Sequence, residues 1–121
     1  MRATALKKIF GRPYGKVSAV QAASLAEGGA ILLDVREPRE WRAGHAPRAR
    51  HIPLSQVSRR AGELPAGRAV VTVCHSGARS AVAAALLARQ GREVSSLSGG
   101  MRAWARAGLP VVASGRPGRI T

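Results

Sequence analysis

The sequence predicts an α/β fold: a mainly parallel sheet covered on both faces by helices. Three observations carry this. Short apolar runs read as buried strands: "AILLDV" (30–35), which is flanked by breakers, and "AVVTV" (69–73), the clearest of them. Segments with apolar residues at helical spacing, such as "RSAVAAALLARQG" (79–91), stand between them. The two kinds alternate along the chain, and parallel strands need such crossovers.

The elements follow in order. Residues 1–16, with Gly11, Pro13, Gly15 and several Lys and Arg, read as a basic N-terminal arm. In "VSAVQAASLAEGG", Ser18 and Gln21 form a capping-box pattern, and Gly28 and Gly29 stop the helix. "AILLDV" is the first strand. Pro38 in "EPREWRAGH" stands near a helix start and Gly44 follows it. "ARHIPL" (49–54) is a short strand cut off by Pro53. Residues 55–64 suit an irregular helix before the turn "LPAGR". "AVVTV" precedes the clearest helix, which starts near Arg79 or Ser80 and ends at Gly91. "EVSSL" is a strand, "SGG" a loop and "MRAWARAG" a last helix. Residues 113–121 read as a loose C-terminal tail.

The 121 residues suit one domain, placed at 17–112, large enough to bury a real core. Aromatics make up 3%, so Ala, Val, Leu and Ile must build that core. A single cysteine excludes an internal disulfide framework and suits a reducing compartment. No run approaches the roughly 18 apolar residues of a membrane span. The basic N-terminus lacks an apolar stretch and cleavage site, so no secretory signal is read, which points to the cytoplasm. Twenty Lys and Arg against six Asp and Glu give a net charge of +14, which favours anionic partners. The charges are spread widely, without one dense stripe interleaved with aromatics. They read as a solvated basic surface, with nucleic acid left open.

The chain's one thiol, Cys74, follows the strand "AVVTV", at the sheet edge where α/β proteins bind ligands. The residues after it, "HSGAR", lead into a helix. Such a loop turns successive N–H groups inward as an anion nest, and the helix N-terminus adds partial positive charge. Gly77 permits close backbone approach, and Arg79 supplies a planar fork for oxyanions. Each feature favours thiolate over thiol and points to a nucleophile. The competing reading is a small buried core residue. A nucleophilic cysteine before a helix serves phosphatases, redox pairs and sulfur transferases. A redox pair needs a second cysteine, which is absent.

Three segments, in order, resemble those of single-domain rhodaneses, a sulfurtransferase family. They are "LLDVREPREWRAGHAPRARHIPL" (32–54), "CHSGARS" (74–80) and "LSGGMRAWARAGLPV" (97–111). The resemblance covers residues 17–111 and implies a three-layer fold with a mainly parallel five-stranded sheet. It implies an enzyme that moves sulfane sulfur from thiosulfate, or a similar anionic donor, to cyanide, a thiol or a protein acceptor. Cys74 would carry the sulfur as a persulfide. His75, Ser76, Gly77, Ala78 and Arg79 would form the binding loop. No metal or organic cofactor is required. Four residues separate Cys74 from Arg79. Cell-cycle phosphatases of the same fold have one more, so the shorter loop favours sulfur over phosphate or arsenate. A non-enzymatic interaction module usually loses the cysteine or scrambles the loop, and this chain keeps both.

Asp34 and Arg36 end near the same sheet edge and are expected to support the fold, as is Ser80. His45 reads as a turn residue and His75 as part of the pocket rim. Ser76 and Ser80 are expected to cap the following helix. Trp41 and Trp104 read as packing residues. Against the family pattern, Ala46 replaces a branched apolar residue and His51 replaces Asn. A monomer or weak homodimer, without membrane attachment, is expected.

Overall fold

The computed structural model describes residues 13–114 and 116–120. A five-stranded parallel sheet has the order β1-β5-β4-β2-β3. The strands are β1 (Gly15–Val17), β2 (Ile31–Asp34), β3 (Arg50–His51), β4 (Val70–Val73) and β5 (Val94–Leu97). Every residue of β2 and β4 is buried, because helices cover both faces. Alternation sorts the side chains. Ile31, Leu33, Val70 and Val94 join Leu87 and Val57 in one core cluster. Leu32, Val71, Val73 and Leu97 join Met101 and Trp104 in the other. Trp104 is a packing residue, as expected, and its Nε1–H donates to Pro110 O at 2.8 Å.

The helices begin where local chemistry starts them. Ser18 caps α1 (Ala19–Glu27): its Oγ accepts the Gln21 N–H at 3.1 Å, and Gln21 Oε1 accepts the Ser18 N–H at 2.8 Å. Pro38 opens α2 (Pro38–Ala43). The irregular segment resolves into a 3-10 turn, the short α3 (Val57–Arg60) and a second 3-10 turn. The helix after Cys74, α4 (Ala78–Arg89), begins at Ala78, ahead of the expected start. Last comes α5 (Gly100–Arg106). Among the described residues no helix is long and apolar enough to cross a membrane.

Two expectations need correction. Gly15 and Lys16, placed in the arm, lie in β1 and pair with Ser95 and Ser96 of β5. A three-residue strand containing Gly and Lys has no apolar run to announce it. The rest of the expected arm, up to Arg12, lies outside the described residues. The C-terminal stretch is docked rather than loose. Strands β6 (Val112–Ala113) and β7 (Arg116–Pro117) pair antiparallel. Arg119 N–H donates to Ala43 O at 2.9 Å, and Ile120 packs on the second core cluster. Its backbone hydrogen bonds leave no trace in the side-chain pattern.

Candidate active site

Cys74 leaves the C-terminal end of β4 and is 1% exposed. The chain then turns through His75 and Ser76 to Gly77, whose φ of 122° suits glycine. This conformation aims the Gly77 N–H at Cys74 Sγ, 3.0 Å away. The next turn is the start of α4, whose first N–H groups have no intrahelical acceptor. A sulfur atom in this loop therefore sits among backbone donors at the positive end of a 12-residue helix.

The loop is held from behind by α5. Met101 N–H donates to Cys74 O at 2.7 Å, and Arg102 N–H to His75 O at 3.1 Å. In a trans peptide the N–H opposes the C=O, so the His75 and Ser76 N–H groups face away from α5. Gly100, at φ +59°, makes this approach feasible, since a Cβ there would collide with the Cys74 and His75 carbonyl oxygens. Sequence reasoning took "SGG" as a plain loop and missed this role. The adjacent glycines were the available signal.

Arg79 lies on the first turn of α4 and is half-buried. Its guanidinium makes two parallel bonds to Glu40 of α2, at 2.7 and 2.9 Å. The pair holds the Glu40 carboxyl at about 2, because its bonds to Arg79 outweigh its desolvation. The same bonds push the Arg79 guanidinium up, and the nearby Cys74 adds to this. Glu40 was not a sequence candidate. Its partner is 39 residues away, and nothing in the local pattern marks it.

Asp34 and Arg36 form a buried pair at the neighbouring strand end. Arg36 donates to both Asp34 oxygens, from Nε at 3.0 and 3.1 Å and from Nη2 at 2.8 Å. Nη2 also donates to Gly44 O at 2.7 Å, which ties β2 to the end of α2. His51 Nε2 bonds Arg36 O at 2.8 Å. His45 Nδ1 bonds Trp41 O at 2.7 Å, and its ring stacks on Trp41 at 3.5 Å, a structural role for both.

The capping expectation fails for Ser80. Gly77 occupies the N-cap of α4, and no side chain caps it. Ser80 Oγ instead donates to Gly77 O at 3.0 Å and bonds Ser96 Oγ at 2.8 Å. That linkage fastens the loop's last carbonyl to β5. Ser76 and Ala78 are exposed, and His75 is half-buried.

A single buried thiol that accepts a backbone N–H in a loop at the carboxyl end of a parallel sheet is a geometry that can hold a thiolate. The Rhodanese-like domain family matches residues 18–107, and the chain belongs to this family. A sulfurtransferase of Allochromatium vinosum is 46% identical over 84 residues, 69% of this chain and 78% of that protein. A thiosulfate sulfurtransferase of Pseudomonas syringae is 34% identical, over 75% of this chain and 87% of that protein. A rhodanese-related protein of Thermoplasma volcanium has a similar structure, with a TM-score of 0.77 and 29% identity. The match covers 82% of this chain and 98% of that one. Other curated relatives are longer, and this chain spans 40% and 50% of two of them. These likenesses place the chain in a family whose members include sulfurtransferases.

Proposed function

We propose that the protein transfers sulfane sulfur from thiosulfate, or a similar anionic donor, through a persulfide on Cys74. The observation that carries the reading is the Gly77 N–H aimed at Cys74 Sγ in a loop that reaches Arg79 after four residues. Such a loop is tight, and it suits one added sulfur atom better than a phosphoryl group.

The Cys74 thiolate attacks the outer sulfur of thiosulfate. A Cys74 S–S bond forms, the donor S–S bond breaks, and its electron pair leaves with sulfite. The persulfide's terminal negative charge rests on loop N–H groups between His75 and Arg79, an oxyanion-hole arrangement applied to sulfur. An acceptor nucleophile, cyanide in an assay or a thiol in the cell, then takes the outer sulfur and returns the thiolate. Arg79, held by Glu40, orients the donor at the loop. A free nucleophilic thiol favours a reducing compartment such as the cytoplasm.

The test is intact-protein mass after incubation with thiosulfate, beside a Cys74→Ser variant. The expected result is a gain of one sulfur atom that cyanide removes and the variant lacks. No gain, with Cys74 still open to alkylation, overturns thiosulfate as donor.

A further inference from the structure

A groove of about 540 Å³ lies at the opposite end of the strands from Cys74. It runs beside the start of β2, with Arg68, two residues before β4, in its wall. Ala26, Leu109 and Pro110 give it apolar surface. Three arginines line it, Arg48, Arg50 and Arg68, against one carboxylate, Glu27. Its volume falls in the range of small-molecule sites, roughly 300–1,000 Å³.

Arg48 is the informative residue. Ala49 N–H donates to Ala46 O at 3.2 Å, closing a turn with Pro47 and Arg48 at its centre. The Arg48 φ is +68°, the one positive value at a non-glycine among the described residues. Proline followed by positive φ is the turn geometry that asks for glycine at the third position. The backbone gains nothing from arginine there. The side chain is exposed and, among the described residues, has no ion-pair partner; the same holds for Arg50. Arg68 is oriented by its Nε–H, which donates to Gly29 O at 2.7 Å. Strained positions of this kind gather at ligand clamps.

We propose that the groove binds a small amphipathic anion. Its carboxylate or phosphate head meets the guanidinium groups of Arg48, Arg50 and Arg68, and its apolar body lies on Leu109 and Pro110. Guanidinium forks suit such oxyanions bidentately. This site is separate from Cys74 and does not depend on sulfur transfer.

Calorimetric titration of the full chain with octanoate and with octyl phosphate tests it. Octylamine controls for charge, and acetate controls for the apolar body. At least one of the two anions is expected to bind at a single saturable site, with octylamine and acetate more than tenfold weaker. Arg48→Gly and Arg50→Gln are each expected to weaken binding about tenfold, a loss of about 1.4 kcal/mol. The Arg48→Gly melting temperature is expected to be no lower than wild type, since glycine relieves the turn. Sulfur loading of Cys74 is expected to stay unchanged in both variants. Absence of saturable binding, equal binding of octylamine or acetate, or full affinity in both variants overturns the proposal.

Discussion

Glu40 and Arg79 face each other across 39 residues of sequence and join through two parallel hydrogen bonds of 2.7 and 2.9 Å. The bidentate pair fixes the plane of the guanidinium, and with it the charge beside the Cys74 loop. Glu40→Gln keeps the shape and removes half of this grip. We expect kcat/KM for thiosulfate to fall about tenfold, the scale of a charge-assisted bond. Glu40→Asp, which keeps the charge, should recover part of the loss. Steady-state thiocyanate formation measures both, and unchanged kinetics in Glu40→Gln would remove Glu40 from the site.

The same pair makes stability depend on acid. The bonds to Arg79 hold the Glu40 carboxyl at about 2 against an ordinary 4.5. A depressed carboxyl contributes stability above its unfolded value and loses it as pH falls through the folded one. The contribution should be constant from neutrality to about pH 5 and fade between 4.5 and 2. Both partners are partly solvated, so about 1 kcal/mol is expected. Urea unfolding of wild type and Glu40→Gln across this range should give curves that converge in acid. A gap of constant size at every pH would assign the effect to packing.

Gly100 is the position where backbone freedom supports chemistry. A Cβ there would strike the carbonyls of Cys74 and His75, and its φ is +59°. Gly100→Ala should cost about 2–4 kcal/mol from overpacking and left-handed strain. It should also push the loop off α5 and lower activity about a hundredfold, the scale of a 1 Å misplacement. Thermal melting and persulfide yield read the two effects separately. Normal persulfide yield in a destabilised variant would show that α5 supports the fold alone.

Local chemistry made much of this molecule readable. The runs over β2 and β4 are apolar because both faces are covered, and the Ser18–Gln21 box announces α1 within four residues. Cys74, Gly77 and Arg79 were legible because one loop carries them. What escaped depends on distant partners. Gly15 and Lys16 are a strand only because Ser95 and Ser96 pair with them. Arg119 is anchored only because Ala43 offers a carbonyl. Glu40 looks like any helical glutamate until Arg79 is brought to it. Ser80, at a helix start, suggested a cap, and the Ser96 hydroxyl across the sheet diverted it.

The Asp34–Arg36 pair supplies the last test, because its geometry separates the worth of a pair from the cost of breaking it. Both side chains are essentially buried, at 0% and 2% exposure. Arg36 satisfies both Asp34 oxygens and reaches Gly44 O. Asp34→Leu leaves a buried guanidinium without its carboxylate and the Arg36 N–H without its acceptor. A loss of about 3–5 kcal/mol is expected, as for other broken buried pairs. Replacing both residues with apolar ones, Asp34→Leu with Arg36→Met, removes the stranded charge. Beyond the loss of the Asp34 acceptor, which both variants share, it leaves only Gly44 O unpaired, at about 1–3 kcal/mol. The double variant should therefore be more stable than Asp34→Leu alone. Urea unfolding of the two variants settles the order. A double variant less stable than the single would mean that the ion pair itself, and not the avoidance of an orphan charge, holds the strand end beside Cys74.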